Sequence, residues 1–96
     1  MAESNLIQEV KKALRITTTM FDDEISAEID ACLLDMRGAG VDIEHENSAL
    51  VNQAVKFYCR AYFSTVADSD WSTQYEKLRN AMAARGAQNY EQRHNY

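Results

Sequence analysis

Residues 47–64 read NSALVNQAVKFYCRAYFS, and this segment decides the fold. Asn47 or Ser48 can cap a helix at its start, because their side chains accept hydrogen bonds from free backbone N–H groups. The apolar residues that follow recur at helical spacing on two faces instead of one stripe. One face holds Leu50, Ala54, Phe57, Tyr58 and Ala61, and the other holds Val51, Val55 and Tyr62. A helix that is apolar on two faces lies either at the centre of its domain or between subunits.

Three further helices are predicted, over about residues 5–15, 22–37 and 71–85. Asp22 or Asp23 is the expected N-cap of the second helix. Gly86 is expected to end the fourth, because glycine tolerates the backbone conformation found at helix ends. The chain contains no proline and only three glycines, so little interrupts these helices. The predicted fold class is therefore all-α, a small bundle of about four helices with an extended C-terminal tail.

The tail, residues 87–96, has no apolar pattern that would form part of a core. It consists of Gln, Asn, Arg, His, Glu and Ala together with two tyrosines, Tyr90 and Tyr96. Such a polar segment gains little by packing on the bundle, so alone it is expected to be disordered. Its tyrosines are typical anchors for a segment that folds on a partner. We therefore divide the chain into a helical domain, residues 1–86, and a partner-docking tail.

Composition excludes several classes of protein. With 96 residues the chain forms one domain, and its net charge of −5 disfavours a general nucleic-acid binder, which carries a basic surface. No apolar run approaches the ~20 residues that cross a membrane, and the first five residues do not resemble a secretory signal. These features predict a protein made in the cytosol without a membrane anchor.

No residue pattern of an enzyme or a metal site is found. His45 and His94 have no second ligand at a suitable spacing, and no nucleophile motif or glycine-rich phosphate loop occurs. We predict no catalytic activity, no metal and no cofactor. Cys32 and Cys59 are predicted to be reduced, partly buried thiols, and a disulfide between their helices is the alternative.

Acidic residues are concentrated between residues 21 and 50, where nine acidic residues stand against one basic residue, Arg37. The rest of the chain carries six acidic and nine basic residues. This acidic block is either a solvated outer face or a surface that meets a basic partner or keeps DNA from adhering.

Aromatic residues pose a similar choice between core and interface. Tyrosine and tryptophan suit positions where one end is dry and the other is polar, as at protein interfaces. A chain of this size has a limited interior, so we expect at least one of four aromatic residues at a subunit boundary. These are Tyr58, Tyr62, Trp71 and Tyr75.

Four segments together resemble the head–tail connector, or adaptor, proteins of tailed bacteriophages. They are VKKALRI (10–16), FDDEI (21–25), LVNQAV (50–55) and YEKLRNAM (75–82). In that family the first helix ends in a similar basic segment and an acidic start opens the second helix. The resemblance covers about residues 6–85. Many relatives place a proline before the third helix, where this chain has Asn47-Ser48, which also starts a helix well.

This resemblance implies a structural protein of the virion neck. Such proteins assemble after DNA packaging as a homo-oligomeric ring, such as a dodecamer, beneath the portal protein. They extend the DNA channel and offer a docking surface to the next neck, stopper or tail protein. DNA would pass without sequence-specific binding. The sequence does not set the number of subunits.

The resemblance and the charge pattern together assign two groups of residues. The C-terminal segment of the family engages the portal, which here implies Gln88, Asn89, Tyr90, Arg93, His94 and Tyr96. An acidic face along the channel would repel phosphate, so we expect some of the following to line it. They are Asp22, Asp23, Glu24, Glu28, Asp42, Glu44 and Glu46.

Two other functions are compatible with parts of the sequence. A small acidic interaction or regulatory module of the cytosol is the main alternative. A helix-turn-helix DNA-binding protein is disfavoured, because the link from Arg37 to Asn47 exceeds the usual 3–4-residue turn. The third helix also lacks basic residues at its start, where base contacts are made.

Overall fold

A computed structural model describes residues 4–63 and 69–94 of the chain, with side chains for residues 5–63 and 70–85. It contains four α-helices and, within these ranges, no strand. They are α1 (Ser4–Leu14), α2 (Asp22–Gly38), α3 (Ser48–Tyr62) and α4 (Ser69–His94). The predicted all-α bundle of four helices is confirmed.

Helix α3 is the centre of the bundle and packs against each of the other three helices. Asn47 caps it, since its side chain accepts a hydrogen bond of 2.9 Å from the Ala49 N–H. Five of its residues are buried: Val51, Ala54, Val55, Cys59 and Ala61. Of the two positions proposed for a helix with two apolar faces, the structure places α3 at the centre of its domain.

The core is formed by aliphatic and sulfur-containing side chains and one tyrosine, from all four helices and the loop after α2. Its members outside α3 are Val10, Ile25, Ile29, Cys32, Met36, Val41, Tyr75 and Met82. Each of these is at most 4% exposed. On α2 the buried positions recur every three or four residues, which is the spacing of one helix face.

The end of α2 depends on one glycine. Gly40 has a φ of +100°, which L-residues with a Cβ rarely adopt. Its N–H donates to the Arg37 carbonyl at 3.0 Å, and the Val41 N–H donates to the Met36 carbonyl at 3.0 Å. This pair of bonds is a Schellman motif, which satisfies the last carbonyls and turns the buried Val41 back onto the core.

Two predicted details of the helix termini were wrong. Neither Asp22 nor Asp23 caps α2; Phe21 occupies that position without a side-chain hydrogen bond, and both aspartates lie in the first turn. Carboxylates there still favour the positive end of the helix dipole. Gly86 does not end α4, which continues to His94. One glycine costs a helix only about 1 kcal/mol, and good helix formers on both sides, Ala84 and Arg85 before it and Ala87 and Gln88 after it, offset this cost.

Candidate interaction surfaces

Two of the seven carboxylates predicted to face a channel are held in ion pairs inside the chain. The Lys11 Nζ lies 2.8 Å from an oxygen of Asp22, and the Lys11 side chain is only 7% exposed. The guanidinium of Arg85 lies 2.8 Å from Glu46, whose side chain is 13% exposed. These pairs join α1 to α2, and α4 to the loop that precedes α3. Asp22 and Glu46 therefore fix the bundle, and they contribute little free charge to its surface.

The other five acidic residues of this group remain at the surface. Asp23, Glu24, Asp42 and Glu44 are exposed, and Glu28 is half-buried. Asp42 lies 2.9 Å from Nδ1 of His45, which is also exposed. They form two patches, one at the start of α2 and the other in the loop between α2 and α3.

Tyr75 connects α4 to α2 from inside the core. Its hydroxyl donates a hydrogen bond of 2.5 Å to Asp35, and Arg79 donates to the same oxygen at 3.0 Å. The bond from Tyr75 holds the pKa of Asp35 below its usual range. Burial raises the pKa of Tyr75 above its usual value. The tyrosine is only 2% exposed and belongs to the core, so the prediction of an aromatic residue at a subunit boundary rests on Tyr58, Tyr62 and Trp71. The Tyr75 ring is apolar enough to fill the interior once Asp35 accepts the hydrogen bond from its hydroxyl group.

Tyr58 and Tyr62 lie one turn apart on α3, with ring centroids 4.7 Å apart. Tyr58 is half-buried, and burial raises its pKa to about 12. Tyr62 is 54% exposed, so much of its ring is in contact with water. Both residues, together with the half-buried Trp71, are placed where a second chain can reach them.

A cleft of about 420 Å³ opens between α1, α3 and the start of α4. Four residues of α3, spaced i, i+3, i+4 and i+7, line its length. They are Gln53, Lys56, Phe57 and Arg60. Helix α1 contributes Glu9, Lys12 and Ala13, and α4 contributes Trp71. This cleft is not among the features predicted from the sequence. The helical spacing of the four α3 residues is the signal that could have indicated it.

The floor of the cleft is aromatic and its rim is basic. Phe57 stacks on Trp71 with ring centroids 5.6 Å apart, and the guanidinium of Arg60 lies 4.5 Å from the centroid of the Trp71 ring. Lys56 lies 2.8 Å from Glu9, and this hydrogen bond lowers the pKa of Glu9. Lys12 is exposed. Three cations thus face one anion, which leaves the cleft with a net charge of +2.

Cys32 and Cys59 are both buried free thiols. Burial raises the pKa of Cys59 to about 12 and also raises that of Cys32. Among residues 4–63 and 69–94, no three histidine, cysteine or acidic side chains are grouped so as to hold a metal ion. In the same part of the chain, no helix is long and apolar enough to cross a membrane.

Comparison with known protein families identifies the family to which this chain belongs. The family model described as "Phage connector protein" matches residues 6–88, from the first turn of α1 into the C-terminal part of α4. The chain belongs to the phage connector protein family. The resemblance noted in its sequence is thereby confirmed. Searches of curated proteins and of solved structures gave no match.

The predicted docking tail of this connector lies mostly within α4. Gln88, Asn89, Tyr90, Arg93 and His94 have helical backbone, and Tyr96 lies outside the described residues. The family match ends at residue 88, so it leaves out most of this segment. The docking role of the tail stays a prediction.

Proposed function

We propose that this connector is a structural subunit of the virion neck. Several copies assemble as a ring beneath the portal protein after DNA packaging, extend the DNA channel and join the head to the next neck or tail protein. The observation that carries this proposal is the family match over residues 6–88, which spans all four helices of the bundle. Portal and tail proteins are accordingly the proposed partners, and the virion is the proposed location.

The surface charge supports passage of DNA through such a ring. Exposed carboxylates repel phosphate groups, so an acidic lumen lets DNA slide without adhering. Asp22 and Glu46 are engaged in ion pairs within the bundle. We therefore assign the lumen to members of the remaining group. This group consists of Asp23, Glu24, Glu28, Asp42 and Glu44.

The exposed aromatic residues support assembly with further copies. Tyr62 is 54% exposed, and Tyr58 and Trp71 are half-buried. Burying such rings against a neighbour removes apolar surface from water, which favours association. The tail, residues 87–96, is proposed to dock on the portal.

The chemistry of the described side chains supports a subunit without catalytic activity. A thiol acts as a nucleophile in its thiolate form, and a pKa of about 12 for Cys59 keeps that residue protonated near neutral pH. Asp35, the carboxylate that contacts the buried Tyr75, already accepts bonds from Tyr75 and Arg79. Its role is therefore to hold α2 against α4.

Co-sedimentation with the portal tests the proposal. The purified protein is mixed with the portal encoded beside it, and portal fractions from a density gradient are quantified by mass spectrometry. We expect several copies of the connector for each portal assembly, and the same ratio in purified virions. A folded protein that stays at the top of the gradient, and is absent from virions, would instead indicate a small acidic interaction module.

A further inference from the structure

The start of α2 presents a surface complementary to the cleft. We call this surface the α2 tip; it consists of Met20, Phe21, Asp23 and Glu24. Met20 is 78% exposed, and Phe21, whose ring packs edge-on against Phe63, is 36% exposed, so one large apolar side chain and part of a second are in water here. Asp23 and Glu24 are exposed beside them, which gives the tip a charge of −2.

The cleft offers the matching groups. Phe57 and Trp71 form an apolar floor, and Lys12, Lys56 and Arg60 stand around it. Its volume of about 420 Å³ lies within the range of natural binding pockets, which is about 300–1,000 Å³. Asp70 lines an adjoining depression beyond Trp71 and does not reverse the positive balance of this region.

We propose that the α2 tip of one copy docks in the cleft of the next copy. Met20 enters over Phe57 and Trp71, and the carboxylates of Asp23 and Glu24 meet the basic rim. This inference rests on the ring assembly proposed above and names the two surfaces that build it.

Tip and cleft lie on different sides of α1. Lys11 pairs with Asp22 directly beside the tip, whereas its neighbour Lys12 lines the cleft. Successive residues of a helix point about 100° apart, so these two surfaces are separate. A contact between them is heterologous, and a heterologous contact gives a ring when the rotation from copy to copy closes.

A second copy satisfies this cleft better than an acidic partner from elsewhere. The tip supplies both features that the cleft needs, an exposed apolar side chain and a pair of carboxylates, on one turn of the same chain. It also explains why Met20 is exposed in the isolated subunit. Of the group proposed for the lumen, the assignment leaves Glu28, Asp42 and Glu44 as the carboxylates available to face DNA.

Charge reversal on each surface tests the contact. The tip variant carries Asp23→Lys and Glu24→Lys, and the cleft variant carries Lys12→Glu and Arg60→Glu. We expect each variant to need a concentration about tenfold higher or more for ring assembly on the portal, because like charges then face each other. Combining all four substitutions in one chain restores opposite charges at every contact, and assembly should return to within about threefold of the wild type.

A matched control reverses the same amount of charge elsewhere. Asp42→Lys with Glu44→Lys changes two exposed carboxylates of the other acidic patch, and ring assembly is expected to stay within about threefold of the wild type. Far-UV circular dichroism confirms that every variant remains helical. Loss of assembly in the control to the same extent as in the tip variant would overturn the proposal.

Disulfide cross-linking is an independent test of the same contact. Chains with Met20→Cys are mixed with chains with Gln53→Cys, and a covalent dimer is expected in the ring. The pair Met20→Cys with Ala31→Cys is the control, because Ala31 is exposed on α2 outside the tip. The native cysteines are buried and do not compete.

The results of these experiments distinguish a failure of the proposed contact from a failure of ring assembly. If the wild type forms rings but Met20 and Gln53 do not cross-link above the control, the contact is wrong and the ring stands. If only the cleft variant loses portal binding, the cleft holds an acidic segment of the portal, and the contact between copies is wrong. If the wild type forms no ring, both proposals fail.

Discussion

Replacing Tyr75 by phenylalanine removes one hydroxyl group and leaves the ring in place. The ring is 2% exposed and the hydroxyl donates to Asp35 at 2.5 Å. A hydrogen bond to a charged group contributes about 1.5–3 kcal/mol to stability. The Asp35 side chain is 43% exposed and keeps its bond from Arg79, so water can replace the lost donor and the lower value applies. We expect Tyr75→Phe to lower the free energy of unfolding by about 1.5 kcal/mol, and the melting temperature by about 6 °C.

Urea unfolding measures this difference in the free energy of unfolding. The unfolding is followed by circular dichroism at 222 nm, a standard wavelength for helices. Tyr62→Phe is the matched control, because it removes the same hydroxyl group from a side chain that is 54% exposed. We expect that control to change the free energy of unfolding by less than about 0.5 kcal/mol. Equal stability of the wild type and Tyr75→Phe at neutral pH, or an equal loss in the control, would refute the role assigned to this hydroxyl.

The pH dependence of the same pair of proteins gives a second test. The bond from Tyr75 lowers the pKa of Asp35, so the ionised carboxylate stabilises the fold. A lowered carboxyl pKa contributes stability that is present above the unfolded value, about 3.9, and is lost as the pH falls through the folded value. A neutral hydrogen bond is about half as strong as a charged one, so the difference between wild type and Tyr75→Phe should fall by about half on acidification through this range. A difference that stays constant would contradict the charge-assisted bond.

Three further predictions concern the core, the thiols and the tail. Met82→Ala empties a fully buried site and should lower the free energy of unfolding by about 3 kcal/mol in urea titrations; a loss below about 1 kcal/mol would contradict its burial in the core. Cys32 and Cys59 should react with an aromatic disulfide reagent at pH 8 at least about 100-fold more slowly than after unfolding in urea, and immediate labelling of the folded protein would contradict their raised pKa values. Deleting residues 87–96 should leave the melting temperature within about 3 °C and weaken co-sedimentation with the portal, whereas an equal loss of both would contradict a separate docking role.

Local patterns in the sequence predicted much of the fold. The helical spacing of apolar residues predicts an inner face of α2 made of Phe21, Ile25, Ile29, Cys32, Leu33 and Met36. Four of these six are buried, whereas Phe21 is 36% exposed and Leu33 is half-buried. The two apolar faces of the third helix indicated its central position. The end of α4 was wrong because a single glycine is a weak signal when good helix formers flank it. The helix dipole, propensity and capping are local effects, and they were read from nearby residues.

The sequence patterns did not predict contacts between residues that lie far apart along the chain. Tyr75 and Asp35 are 40 positions apart, and nothing in either segment shows that their side chains meet. For the same reason Tyr75 was included among the candidates for a subunit boundary, and Asp22 and Glu46 were counted as free surface charges. Which helix faces meet depends on the packing of the whole bundle. Long-range ion pairs, and the cleft beside α3, became visible only once the helices were placed.

Electron microscopy of the connector mixed with its portal tests the ring assembly most directly. The portal and the protein are purified separately, mixed with the connector in excess and imaged, with the portal alone as the control. We predict an added ring of density on one end of the portal, with the acidic loop of Asp42 and Glu44 toward its central channel. Bare portals in the presence of excess folded connector would contradict the neck role.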